Sequence, residues 1–179
     1  AQVYKSRASE FADTKASVLG DYVASKLEME EGEVPLFMTV TVDYRGYMLF
    51  FYQNGKCAKI PLASYMTKQN RRKLLKAYSD KEELAAMLHI EEETELAVFT
   101  SGGTGGPRLI LVGSALIPEK ATRDTAGINM VTLKKNARIA KVRPAAGLEL
   151  KDPHRYRVRT LPAAGALLRQ EDTTEQMSL

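Results

Sequence analysis

Two long apolar runs dominate the chain, and each is folded back on itself by a glycine turn. Residues 47–65, YMLFFYQNGKCAKIPLASY, read as an apolar run, Asn54-Gly55, a second run and Pro61. Asn-Gly between apolar runs is the strongest short hairpin signal, and the type I′ turn it favours needs φ > 0 at both central residues. The same order returns over residues 96–118, LAVFTSGGTGGPRLILVGSALIP, with a longer glycine-rich turn, and its second half returns over residues 3–11, VYKSRASEF. Aligning Val3, Cys57 and Leu109 gives periods of 54 and 52 residues, in the range of propeller blades and longer than most helical repeats. The chain therefore reads as about three copies of one β unit.

The links between these hairpins carry weaker patterns. Glu31-Gly32-Glu33 marks a turn, and the β-branched stretch 34–42 after it reads as a strand. Residues 18–27 fit either a strand or a short helix, and the strand is preferred by analogy with residues 128–133, where apolar and polar side chains alternate. Ser79-Asp80 followed by acids is a helix-start signal, but the repeat places a strand over residues 84–90, matching 138–142 in the next copy. Residues 154–160 alternate, with Arg155, Arg157 and Arg159 on one face and Tyr156 and Val158 on the other. Such a strand is expected to pair with the edge left by the incomplete first hairpin. The polar residues 170–179 are expected to be loosely held. The division that follows is 1–46 as a partial first blade, 47–95 as a second, 96–143 as a third, and 144–179 as a closing strand and tail.

Composition narrows the class. A chain of 179 residues buries roughly 70% of its unfolded surface and needs no metal or disulfide. No apolar run reaches the ~18 residues of a membrane helix, and no charged-then-apolar leader opens the sequence, so no membrane partner and a soluble, cytoplasmic location are expected. The single Cys57 excludes an internal disulfide framework and reads as a small apolar strand residue. The sequence begins at Ala1 and its first repeat lacks the opening strand of a hairpin, which reads as a domain excised from a larger protein.

Charge is unevenly spread. Residues 1–50 hold five basic and eight acidic side chains, whereas residues 108–169 hold thirteen basic and four acidic. An excess of cations along one half of a β domain is the footprint of a protein that meets a polyanion, or equally of a plain solvated surface. The candidates are Lys68, Arg71, Arg72, Lys73 and Lys76 in the second link, Lys120 and Arg123 in the third, and Lys134, Lys135 and Arg138 beyond it. Contacts from such residues position a duplex without reading its bases.

Catalytic and cofactor chemistry is not legible. His89 and His154 are far apart and lack ligand spacing; Glu91, Glu92 and Glu93 read as a solvated face. No Ser-His-Asp or Cys-His order assembles. The SGGTGGP turn leads into a strand rather than a helix, so it lacks the aligned N–H groups of a phosphate loop. Tyr47, Phe50, Phe51 and Tyr52 read as core rather than a base-stacking platform. The expectation is a non-catalytic binding module with no cofactor, no metal and no small-molecule substrate, its partner a nucleic acid or, as the alternative, an acidic protein meeting a basic face.

The third copy, with Phe99-Thr100-Ser101, a glycine turn, Arg123, Gly127 and Lys134-Lys135, resembles a repeat in the C-terminal domain of the A subunit of bacterial type IIA topoisomerases, DNA gyrase and topoisomerase IV. The LGDYVASKLEMEEGE segment also looks like that family's inter-blade strand and acidic turn, and the similarity covers most of residues 1–143. The resemblance implies an all-β pinwheel, a propeller-like disc of four-stranded antiparallel blades with strands exchanged between neighbours, here reduced or truncated. It implies duplex DNA bent on a basic rim to guide strand passage. It also implies association with the rest of an A subunit and with the ATPase B subunit on the nucleoid, with the catalytic tyrosine and ATP site elsewhere. The gyrase Gln-Arg-Arg-Gly-Gly-Lys-Gly box is missing; its nearest counterpart is Gln69-Asn70-Arg71-Arg72. That favours a subunit similar to topoisomerase IV.

Overall fold

In a computed structural model, residues 1–69 and 71–172 are described; Asn70 and most of the polar tail, residues 173–179, lie outside them. The elements in chain order are β1 (Gln2–Tyr4), α1 (Val23–Lys26), β2 (Tyr47–Tyr52), β3 (Lys56–Pro61), β4 (Lys73–Leu75), β5 (Leu84–Ile90), β6 (Glu95–Gly102), β7 (Arg108–Gly113), β8 (Ile128–Asn129), β9 (Ala137–Pro144) and β10 (Ala166–Leu167). Apart from α1 and five short 3-10 turns, the described chain is β structure and loop.

Two four-stranded antiparallel sheets have the orders β5-β2-β3-β8 and β9-β6-β7-β10, and β1 pairs with β4 alone. The repeat explains the correspondence. β1, β3 and β7 occupy one position and each is followed by a 3-10 turn, at Ala8–Glu10, Leu62–Tyr65 and Ser114–Leu116. β4, β8 and β10 occupy the next position; β4 and β8 come from chain beyond the following hairpin, and β10 from chain beyond β9. No sheet is contiguous in sequence, which is the strand exchange of a pinwheel. The first sheet has only its third and fourth positions.

β2 and the Leu96–Phe99 stretch of β6 are apolar throughout because each is covered on both faces. Met48, Phe50 and Tyr52 face one core with Ile60, Leu62 and Leu74, against which Val3 packs; Leu49 and Phe51 face a second core with Leu96, Val98, Ile110 and Met130. From β6, Ala97 and Phe99 face a third, shared with Leu109, Leu111 and Tyr156. Cys57 lies in the second core as a buried free thiol, its ionisation disfavoured by burial despite nearby Lys59.

Five local expectations are corrected. The Asn54-Gly55 hairpin forms, but only Gly55 has positive φ (+91°); Gly55 N–H bonds Tyr52 C=O at 3.0 Å. A turn of that form places glycine where Met130 and Val131 N–H groups both reach its carbonyl, at 2.9 Å each. Within 18–27 the chain makes the helical turn α1 rather than a strand. Residues 34–42 form no strand, since the segments at their repeat position, β5 and β9, pair with β2 and β6, and β1 has no such companion. Residues 154–160 are no strand either. The Pro153–Arg155 3-10 turn interrupts them. Finally, this segment does not close the first hairpin: Tyr156 C=O accepts from Leu111 N–H (2.8 Å) and Val158 N–H donates to Leu111 C=O (3.0 Å), and β10 then pairs with β7. Burial of Tyr156 in the third core holds it there, while β4 occupies the edge of β1. The strand expected at 84–90 is present as β5.

Candidate nucleic-acid interface

The ten candidate cations fall into groups set by the exchanged links. The second link runs to β4 across the acidic first repeat, and two of its cations are taken up there. Arg72 pairs with Glu10 at 2.9 Å. Lys73 pairs with Glu30 at 2.5 Å and Glu33 at 3.8 Å, with its ammonium 5.5 Å from the Tyr4 ring centre. The hydrogen bond to Glu30 is the main reason its ammonium is held above the usual lysine range. Glu33 also accepts from the Tyr4 hydroxyl, the largest influence keeping its carboxyl below the ordinary value. Lys68, Arg71 and Lys76 are exposed and make no ion pair among the described residues.

The third link holds its cations by structure. Arg123 is half-buried, donates to the Ser64 carbonyl at 3.3 Å and lies 5.7 Å from the Tyr65 ring centre. Lys5, beside it, bonds Thr67 Oγ1 at 2.6 Å, and burial, then the Arg123 charge, lowers its pKa. Lys120 N–H donates to Lys59 C=O at 2.8 Å. Gly127 (φ +73°) lets this link approach β3: a Cβ there would lie 1.9 Å from the Cys57 carbonyl oxygen. Arg123 and Gly127 thus fasten the exchanged strand β8.

The third group is different in kind. Lys134 and Lys135 occupy the turn before β9, closed by Ala137 N–H to Lys134 C=O at 2.9 Å with Asn136 at φ +63°. Arg138, the second residue of β9, lies opposite Ser101. The tip of the β6–β7 hairpin lies against this turn, since a Cβ on Gly102 or Gly103 would fall 2.7 Å from the Asn136 or Lys135 carbonyl oxygen. All three side chains are exposed, and none has a carboxylate partner among the described residues.

Sequence reasoning passed over Lys141 and Arg143, which continue the series along β9, an edge strand of its sheet. Both are half-buried, neither forms an ion pair among the described residues, and Arg143 Nε is buried without a hydrogen-bond partner. The spacing of cations in KKNARIAKVR was the available signal. It also passed over Lys59, a buried lysine whose ammonium bonds Glu93 and the Ser114 carbonyl (3.2 Å) and lies 4.3 Å from the Tyr47 ring centre. Glu93, read as part of a solvated run, also accepts from Ser114 Oγ. Its burial opposes ionisation, but the hydrogen bonds from Lys59 and Ser114 and the Lys59 charge outweigh this and lower its pKa. The cluster ties the second sheet to the third. His89 Nδ1 lies 2.9 Å from Thr39 Oγ1 and Nε2 lies 3.2 Å from the Arg45 carbonyl. Among the described residues no group of His, Cys, Asp and Glu is arranged to hold a metal, and no helix is long and apolar enough to cross a membrane.

No family model and no curated protein matches the chain by sequence. Its structure is similar to that of the C-terminal domain of DNA topoisomerase IV, with a TM-score of 0.66 and 16% identity over 89% of this chain and 53% of that one. It is also similar to the DNA gyrase A C-terminal domain, with a TM-score of 0.52 and 14% identity over 70% of this chain and 44% of that one. The chain thus spans about half the length of each. At these identities the likeness establishes the fold, a β-pinwheel.

Proposed function

We propose that the chain is a non-catalytic DNA-binding unit of a type IIA topoisomerase A subunit, which holds and bends duplex DNA to guide strand passage. Its partners in this reading are the duplex, the remainder of the A subunit and the ATP-hydrolysing B subunit, in the cytoplasm at the nucleoid. The observation that carries it is the series Lys134, Lys135, Arg138, Lys141 and Arg143, without carboxylate partners among the described residues, on a pinwheel similar to those of topoisomerase IV and gyrase A. Lys68, Arg71, Lys76 and Lys120 supply further phosphate contacts, whereas Arg72, Lys73 and Arg123 contribute less because their charges already have local partners. Each phosphate neutralised releases counterions, so binding is steeply salt-dependent and tolerant of sequence. Preference among duplexes follows their ease of bending.

A gel-shift titration of relaxed duplex at about 50 and 200 mM salt tests this. The expected result is binding at the lower salt that weakens sharply at the higher, and a loss of at least about tenfold at low salt in the Lys134→Glu/Lys135→Glu/Arg138→Glu variant. Unchanged affinity in that variant would remove the site. Binding to polyglutamate but not to duplex would move the reading to an acidic protein partner.

A further inference from the structure

We infer that the small cavity beneath the tip of the β6–β7 hairpin is a site for a single monatomic anion, a halide ion, held by Arg108. The cavity measures about 10 Å3 and is bounded by the hairpin from Thr100 to Arg108, by residues 131–134 of the third link, and by Ala164. A space of that size takes one water-sized particle and is too small for a phosphate or a carboxylate.

The local backbone puts a guanidinium there. Arg108 opens β7, opposite Thr100 on one side and Leu167 on the other. Gly165 (φ +71°) lets the chain before β10 approach β7 so closely that a Cβ there would fall 2.7 Å from Ile110 Cγ1. Its carbonyl accepts from Arg108 Nη1 at 2.7 Å, which fixes the side chain but uses only one of its N–H donors. The Nε–H is buried without a hydrogen-bond partner. Among the described residues Arg108 has no carboxylate partner, and no acid lines the cavity; the other charged group there is a second cation, Lys134.

The half-buried Arg108 cannot shed its proton to escape this position, and drawing a charge out of water is costly unless an opposite charge meets it. A water molecule would give the Nε–H an acceptor but leave the charge uncompensated, whereas a halide supplies both. The wall is fastened rather than loose. Met130 and Val131 N–H groups bond the Gly55 carbonyl at 2.9 Å each, Thr132 N–H bonds the Ala163 carbonyl at 3.0 Å, and Ala163 N–H bonds the Met130 carbonyl at 3.0 Å. Such a frame keeps its shape whether or not an ion enters. An ion beside Lys134 would also lower the field that a duplex meets at that turn, a consequence that rests on the function proposed above; the site itself does not.

The test uses the 179-residue chain in crystals soaked in sodium bromide and in melting curves without nucleic acid. The expected result is an anomalous bromine peak within hydrogen-bond reach of Arg108 Nε. At constant ionic strength against sodium glutamate, Tm should rise and saturate by about 2–4 °C in bromide or chloride, and not in inorganic phosphate. Arg108→Met should abolish both signals. Ala164→Leu, which fills the cavity and leaves Arg108 in place, should do the same, and it decides the matter if Arg108→Met fails to fold. A water at Arg108 Nε with no anomalous signal would overturn the inference. A bromide peak with no saturable rise in Tm would do so too, as binding at crystal concentration only. A rise that survives in the Ala164→Leu variant, or one seen in phosphate alone, would place the anion on the open surface and equally end the assignment.

Discussion

The first and third repeats share a strand, a 3-10 turn and a link, at β1 and at β7, and then diverge. Before the inner stretch the first repeat carries Glu28, Glu30, Glu31 and Glu33; at the matching place the third carries Lys134, Lys135 and Arg138. After that turn, residues 34–42 are unpaired and exposed, while β9 is bonded along β6 and sends Ile139 and Val142 into a core. One position in the repeat thus serves opposite ends. In the first repeat its acids Glu30 and Glu33 hold Lys73 of the neighbouring link, and in the third its cations stay available to a polyanion. Charge counted along a sequence is therefore not charge that a ligand meets.

The largest expected effect breaks the comparison on the packing side. Phe99→Ala in β6, removing a ring from the third core, should cost about 3–5 kcal/mol in urea unfolding. Met38→Ala should stay within about 0.5 kcal/mol, as expected of a surface site. Comparable losses at both positions would mean that residues 34–42 are packed after all.

Next comes the charge side. Glu substitution of Lys134, Lys135 and Arg138 should lower the slope of log affinity against log salt by about 2.7, or about 0.9 for each phosphate that is no longer neutralised. The same substitution at Arg72 and Lys73 should change the slope far less, since Glu10, Glu30 and Glu33 already hold them. Equal slopes would erase the distinction between the two groups. Conversely, Glu10→Gln with Glu30→Gln and Glu33→Gln should release both cations and tighten duplex binding several-fold. Stability should fall only slightly, because ion pairs near the surface contribute little.

The hairpins were legible because a central strand buried on both faces must be apolar throughout, and both runs show it, from Tyr47 to Tyr52 and from Leu96 to Phe99. The strand at Leu84–Ile90 was legible through the repeat although Ser79-Asp80 suggested a helix. Residues 34–42 misled because strand propensity reports suitability for a sheet, not the presence of a partner. The basic segments were legible by composition, but not the neutralisation of Arg72 by Glu10, which depends on a contact between residues 62 positions apart. Lys59 and Glu93 were hidden for the same reason: neither side chain signals burial until β3 and the end of β7 are brought together.

The smallest effect tests the two seams by pH and salt. Glu33 joins the first repeat to the second link through Tyr4 and Lys73, and Glu93 joins the second sheet to the third through Lys59 and Ser114. Both carboxyls sit below their ordinary value of 4.5 in the folded protein. A depressed carboxyl binds its proton more readily when unfolded, so its stabilisation is complete above about pH 4.5 and is lost as pH falls through the lower folded value. Glu33 is held chiefly by hydrogen bonds from the Tyr4 hydroxyl and the Glu30 N–H, the Lys73 charge acting less, and Glu93 by the buried ammonium of Lys59 and by Ser114. Salt screens exposed charges rather than hydrogen bonds or buried pairs, so melting temperatures between pH 5 and 3 should show both contributions surviving at about 1 M salt. Glu33→Gln and Glu93→Gln should each flatten the profile at low and at high salt. A Glu33→Gln variant whose profile matched the parent's at high salt would mean that the Lys73 charge, and not the Tyr4 hydroxyl, holds that carboxyl.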